Sequence, residues 1–431
     1  LGMIYIISDD LTGANDTGVQ YTKQGFKTLV TVKTDEDFLN LVSRDYDVIS
    51  INADTRAMLP QDAYRTVFEL VGKFKDDKVE YIYKKIDSLV RGNPGVELDA
   101  VMDAVGARTA IVTTSYPEVG RKLVNGRFEL MDGDGNASII NVIDVFSQDM
   151  KRRVLGVSLS TIREGPEKIV EYMNKGVIDG YQIFVMDAVE DSDLAIIKEA
   201  ALLMEYPPVL CGSAGLAKQL SLDRKISVTK AVNNKARGKS KITLIMIGSR
   251  NNITSSQMKA LEKEIGVPKV TIFTEDVFNG NKDKMIQDIA DQVNSLISSG
   301  CRLLAVVVDT LFTEFKVQLK DQEQYIIDSM RIAKTIGELS RIIYESNPID
   351  TIISSGGDTS QQILEALGAK GVLLENEIVS GIPIGRIIEG IADGSTIITK
   401  SGGFGDKDSL IKTVEFLGGV DENQLGLQVI N

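Results

Sequence analysis

The sequence predicts an α/β protein of two domains, each built on a mostly parallel sheet. Three observations carry this reading. Short apolar runs of strand length alternate with segments of helical period. One polar, basic stretch at 230–241, KAVNNKARGKSK, interrupts that alternation without apolar periodicity. The 431 residues, 43% of them hydrophobic, are enough to fill two ordinary cores.

The elements follow in order. In the first domain, 1–229, the candidate buried strands include Ile4–Ile7, Val48–Ile51, Tyr81–Ile86, Ala110–Thr113, Gln182–Met186 and Val209–Cys211. Between Val124 and Val145, Gly and Asn cluster between alternating runs, the pattern of a hairpin excursion. The stretch 230–241 is expected to be the linker. In the second domain, 242–431, the runs include Thr243–Ile247, Lys269–Phe273, Leu303–Val308, Thr351–Ser354 and Thr396–Thr399.

Composition excludes several chemistries. The chain has neither histidine nor tryptophan, so it cannot run a Ser-His-Asp or Cys-His nucleophile or build a His-ligated zinc site. Acid–base work falls to carboxylates, lysine, tyrosine or thiol. A net charge of -13 argues against a nucleic-acid or acidic-membrane surface. Cys211 and Cys301 sit in or beside apolar runs and are expected to be reduced and buried. With no long apolar span and no leader-like pattern, a soluble cytoplasmic protein is expected.

Ligands collect at the carboxyl ends of strands in open α/β sheets, and the first such end reads SDDLTGANDTG, Ser8 to Gly18. Asp10 or Thr12 can cap the helix that follows. Capping needs one carboxylate, so a second beside it, Asp9, must be solvated or used. A haloacid-dehalogenase-type phosphatase would want Asp-x-Asp-x-Thr, but Ser8 stands at the nucleophile position. The second strand end, KKIDSLVRGNPG from Lys84 to Gly95, puts Lys85, Asp87, Ser88 and Arg91 on one short loop. Two cations, a carboxylate and a hydroxyl suit a small, anionic, hydroxylated ligand. A third end, Asn52 to Met58, adds Arg56.

The second domain offers strand-Gly-helix junctions at Gly248-Ser249-Arg250, Ser354-Ser355-Gly356-Gly357-Asp358-Thr359 and Lys400-Ser401-Gly402-Gly403-Phe404-Gly405. Glycines let backbone N–H groups approach an anion, and a helix N-terminus adds partial positive charge. Gly238-Lys239-Ser240 has Asn233 where a Walker A loop needs its first glycine. Gly403-Phe404-Gly405 has Asp408 where the dinucleotide fingerprint needs its third. Cys211-Gly212-Ser213-Ala214-Gly215 reads as close strand–helix packing.

On SDDLTGANDTG (8–18), KKIDSLVRGN (84–93), GSAGLA (212–217), SSGGD (354–358) and TKSGGFG (399–405), the chain resembles the four-carbon acid sugar kinase family over nearly its whole length. The resemblance implies an N-terminal sugar-acid-binding domain, a C-terminal nucleotide-binding domain and an active site in the cleft between them. It implies transfer of the terminal phosphate of ATP, with Mg²⁺, to a hydroxyl of a four-carbon sugar acid such as threonate or erythronate. The terminal hydroxyl is the expected acceptor.

Carried over residue by residue, it implies that Asp10, Arg56 and Lys85 to Ser88, with Asp87 among them, contact the sugar acid; the strand-end reading adds Asp9 and Arg91 to the expected substrate contacts. Ser249, Gly356, Gly357, Asp358, Thr359, Gly402, Gly403, Phe404 and Gly405 would line the ATP site, with metal ligands unassigned. Leu89 stands where the family usually has threonine. NDTGVQ (15–20) and TRAM (55–58) look more like the threonate and erythronate kinases than the oxo-tetronate kinases.

Phosphoryl transfer needs positioning and charge neutralisation more than covalent chemistry. Asp10 is expected to orient and deprotonate the attacking hydroxyl, with Asp87 the second choice. Partners are the sugar acid and ATP, without nucleic acid or membrane, and a homodimer is open. A phosphatase or dehydrogenase on related acids, or a non-catalytic sugar-acid-binding protein, are the alternatives.

Overall fold

In the computed structural model, the described residues are 2–34, 37–39, 45–74, 79–131, 137–222, 242–312 and 322–418. The chain divides into two compact units, Leu1–Val228 and Thr229–Asn431. The expected linker, 230–241, lies outside the described residues, as does Gly238-Lys239-Ser240 within it.

The first unit runs β1 (Met3–Ser8), α1 (Leu11–Thr22), β2 (Thr28–Thr31), β3 (Val48–Asn52), α2 (Pro60–Gly72), β4 (Val79–Lys85), α3 (Pro94–Val105) and β5 (Ala110–Thr113). It continues through β6 (Arg127–Met131), β7 (Ala137–Asn141), α4 (Val142–Asp149), β8 (Arg153–Val157), α5 (Leu159–Arg163) and α6 (Pro166–Ile178). Then come β9 (Tyr181–Met186), α7 (Asp191–Leu203), β10 (Val209–Gly212) and α8 (Ala214–Leu222).

The sheet order within this unit is β2-β3-β1-β4-β10-β5-β9-β8, and its strand pairs are parallel. From β1 the chain builds β2 and β3 on one side, then crosses to β4 on the other. That reversal is where an open α/β sheet leaves a crevice at its carboxyl edge. β1 and β3 are buried at nearly every position because both sheet faces are covered, which is why they read as unbroken apolar runs. β6 and β7 form the antiparallel hairpin expected between Val124 and Val145.

The turn at Gly212–Gly215 is the close packing that its glycines suggested. A Cβ on Gly212 would overlap the Thr113 carbonyl, and one on Gly215 the Ser115 carbonyl. Backbone cannot yield as a side-chain tip can, so Gly215→Ala is expected to cost about 1–3 kcal/mol, read from urea denaturation. Cys211 and Cys301 are free and buried, and burial pushes the Cys211 thiol up to about 12.

The second unit runs β11 (Ile242–Ile247), α9 (Asn252–Ile265), β12 (Lys269–Ile272), α10 (Thr274–Phe278), α11 (Lys282–Ser298) and β13 (Leu303–Val308). After it come α12 (Gln322–Ser346), β14 (Ile349–Ser355), α13 (Gly357–Ala366), β15 (Gly371–Val379), β16 (Ile382–Ile388), β17 (Thr396–Lys400) and α14 (Ser409–Phe416). Its order is β12-β13-β11-β14-β17-β16-β15. The first five strands are parallel, and β16 runs antiparallel to both β17 and β15. Among the described residues, no helix is long and apolar enough to cross a membrane.

Candidate active site

Strand register builds the first cluster. Ser8 is level with Asn52 on one side and Lys85 on the other, so the loops after β1, β3 and β4 leave the sheet together. They carry Asp9 and Asp10, Arg56, and Asp87, Ser88 and Arg91. Asn93 ties two of the loops, its Nδ2 donating to Thr55 O at 3.2 Å and Met58 O at 2.9 Å. Gly92, at φ +82°, lies against Arg56; a Cβ there would come within 3.2 Å of the Arg56 Cγ. Asp54 and Val90 adopt φ of 52° and 53° in these loops. A β-branched residue in the left-handed region is strained, and such strain concentrates at ligand-binding loops.

Arg56 is the hub. Its Nε donates to Asp9 Oδ2 at 2.7 Å, its Nη2 to Asp9 Oδ1 at 3.0 Å and its Nη1 to Asp10 Oδ2 at 2.6 Å. Burial alone would raise the Asp9 carboxyl, but Arg56, Lys84 and Lys85 outweigh it and hold Asp9 below the usual range. Asp9, expected to touch substrate, is thus buried with both oxygens on Arg56. Asp10 caps α1, its Oδ1 accepting from Gly13 N at 2.8 Å.

Asp87 accepts from Arg91 Nε at 2.7 Å and Nη2 at 2.9 Å. Burial opposes ionisation there, but Arg91, Arg56 and Lys85 hold the carboxyl well below its ordinary value. So weak a base is better suited to fixing Arg91 than to taking a proton. Lys85 Nζ is buried and donates to Ile86 O at 2.8 Å, without a carboxylate in ion-pair range among the described residues. The half-buried Ser88 hydroxyl has no hydrogen-bond partner among the described residues. Gly13 closes the cluster from below: a Cβ there would sit 2.7 Å from Ser8 Oγ, 2.8 Å from Asp10 Oδ1 and 2.9 Å from Lys85 Nζ.

Two features escaped sequence reading. Lys84, one residue before Lys85 and pointing to the other sheet face, forms a fully buried pair with Glu97 at 2.7 Å. The alternation of side chains along β4 was the available signal. Ser8 Oγ is buried without a hydrogen-bond partner among the described residues, beside the Gly13 position.

In the second unit, register brings together the ends of β11, β14 and β17: Ile247 is level with Ser355, and Ser355 with Lys400. All the predicted nucleotide residues fall at these ends. Gly356, at φ +113°, starts α13 without a side-chain cap among the described residues, so the helix N-terminus, with Asp358 and Thr359 in its first turn, presents partial positive charge to an anion. A Cβ on Gly248 would overlap Thr359 Oγ1, and one on Gly402 would overlap Ser249 Oγ. These two glycines let the three turns close on one another. Gln257 Nε2 donates to Phe404 O at 3.0 Å and Asp406 O at 2.8 Å, fixing the last turn. The Phe404 ring packs on Gly381. Lys400, absent from the sequence-derived site, is wholly buried beneath this turn. Its position just before Ser401-Gly402 was the visible signal.

Family profiles match both units: one described as a sugar-binding N-terminal domain over residues 4–220, the other as a nucleotide-binding C-terminal domain over 244–410. The chain is 28% identical to a D-erythronate kinase of Heliobacterium modesticaldum, over 96% of this chain and 97% of that protein. It is 27% identical to a D-threonate kinase of Salmonella typhimurium, again over 96% and 97%. A crystal structure from Salmonella typhimurium LT2 shares the fold with a TM-score of 0.73 and 20% identity, covering 95% of this chain and 98% of that one.

Proposed function

The chain belongs to the four-carbon acid sugar kinase family, and from that premise we propose that it transfers the γ-phosphate of ATP to a hydroxyl of a four-carbon sugar acid such as threonate or erythronate. The observation that carries the reading in the first unit is Lys85, a buried cation without a carboxylate partner among the described residues, standing beside Asp10. That pair offers one charge for the acid's carboxylate and one base for its hydroxyl.

In this reading Lys85 and Arg91 hold the substrate carboxylate, and Ser88 and Ser8 accept or donate to its hydroxyls. Arg56, with three of its five N–H groups on Asp9 and Asp10, orients the base. Asp10 takes the proton as the oxygen attacks phosphorus, general-base help that contributes typically 10²-fold or more. The Gly356–Thr359 and Gly402–Gly405 turns present backbone N–H groups to the triphosphate, where charge stabilisation carries most of the catalysis. The exposed Asp358 carboxylate suits Mg²⁺, which prefers oxygen ligands and takes few from protein. Bound there, Mg²⁺ would neutralise phosphate charge.

A coupled assay of ADP release over a panel of four-carbon acids, with and without Mg²⁺, tests the proposal. ATP consumption strictly dependent on D-threonate or D-erythronate is the expected result. Phosphate release from the corresponding phosphorylated acids without ATP, or acid-dependent nicotinamide reduction, would replace the kinase reading by a phosphatase or dehydrogenase. Acid binding with no turnover would leave a binding protein.

A further inference from the structure

Lys400 ends β17, and its ammonium donates to Ser401 O at 2.8 Å, to Thr254 Oγ1 at 3.2 Å and to Gly402 O at 3.3 Å. Thr254 Oγ1 in turn donates to Gly402 O at 2.8 Å. Three donors therefore meet three oxygens, and the hydrogen bonding of the ammonium is complete. The charge is not balanced. Lys84 in the first unit, equally buried, sits on Glu97, whereas no carboxylate lies within ion-pair distance of Lys400 among the described residues.

The charged groups on neighbouring elements are otherwise placed. Arg250, after β11, donates to Ser329, and Lys259 of α9 lies over Phe312. Asp350 is at the far end of β14, and Asp358 is exposed on α13. Arg386 of β16 pairs with Glu375, and Asp406 pairs with Lys412 of α14. Burial, with nothing to oppose it, pulls the Lys400 ammonium down to about 7.

We propose that Lys400 is a positioning residue of the nucleotide site, a buried cation whose unbalanced charge is completed by the phosphates of the bound nucleotide and which acts through the Ser401–Gly402 turn it holds. The inference rests on the nucleotide reading of that turn. A lone buried ammonium is expensive, and a polyanion arriving at the turn supplies the missing counter-charge. The neutral amine has two donors for three oxygens, so the turn loses a tether when the proton leaves.

The sign follows. In the free protein Lys400 loses its proton as pH rises through about 7. Phosphate binding favours the charged form, so affinity is highest below that pH, falls above it, and binding there takes up a proton.

Calorimetric titration of the full chain with ADP, and separately with methyl diphosphate, tests this between pH 7.5 and 9 in two buffers of different ionisation enthalpy. The terminal phosphates are already ionised in that range, their second pKa being about 6. The expected result is a Kd that rises about tenfold or more across the range, with proton uptake on binding. Lys400→Gln keeps two donors without the charge, and Lys400→Met keeps neither. Both are expected to weaken binding at pH 7 about tenfold and to abolish the uptake.

Wild-type-like binding by Lys400→Gln, with Lys400→Met weak, would make Lys400 a mere tether and overturn the proposal. ADP binding by the wild-type protein without proton uptake overturns it whatever the variants do. Methyl diphosphate binding with uptake and no ADP binding sustains Lys400 and sinks the ATP reading. Binding of neither sinks both.

Discussion

Replacing Asp10 with asparagine is expected to lower kcat for sugar-acid phosphorylation about 10²-fold or more, while the KM for ATP stays within about threefold. The substitution removes the basic carboxylate together with its ion pair to Arg56 while keeping the helix cap, because asparagine caps a helix as well as aspartate does. Its side-chain oxygen can keep the bond from Gly13 N that Asp10 Oδ1 accepts at 2.8 Å. What it loses is the carboxylate facing Arg56 Nη1 at 2.6 Å, a part-buried charged hydrogen bond whose loss is expected to cost about 1.5–3 kcal/mol of stability. Steady-state kinetics with a thermal melt alongside separate the outcomes. A kcat within about threefold of wild type would remove Asp10 as the base, leaving Asp87 to be tested in the same way.

Arg56→Met should do most damage to the fold of the site. It leaves Asp9, its side chain 4% exposed, facing neither of its two hydrogen bonds from the guanidinium. Breaking a buried pair from one side costs about 3–5 kcal/mol, because the remaining charge is uncompensated. Urea denaturation at pH 7 measures it, and Asp9→Asn in the Arg56→Met background should recover part of the loss. A cost under about 1 kcal/mol would show that Arg56 is not the hub.

The pH dependence has a definite sign. Asp9 and Asp87 are held below their ordinary values. The stability they contribute is therefore present above the unfolded value of about 3.9 and is lost as pH falls toward the folded ones. Removing Arg56 raises Asp9, so the variant should have a shallower acid limb than wild type.

Some of the fold was legible for a direct reason. Strands buried on both faces read as continuous apolar runs, and Ile4–Ile7 and Leu303–Val308 lie inside or coincide with β1 and β13. β15 and β16 escaped that signal. Glu375-Asn376-Glu377 interrupts the first and Pro383 the second, and the stretch Glu375–Ser380 is partly exposed, so neither makes an unbroken run. The antiparallel ending of the second sheet therefore became visible only in the structure.

The site divides along the same line. Residue types next to strand ends are a local property, so the sequence alone determined which loops are proposed to carry chemistry: Asp9-Asp10, Arg56, Lys85 to Arg91, and the three glycine turns of the second unit. Which charge faces which is decided by strand register and side-chain packing over long sequence separations. Tertiary structure put both Asp9 oxygens on Arg56, set Asp87 to fix Arg91, buried Lys84 with Glu97, and left Lys85 and Lys400 as cations without a carboxylate partner among the described residues. A cation's partner depends on what the fold brings within about 4 Å, and composition and spacing do not carry that information.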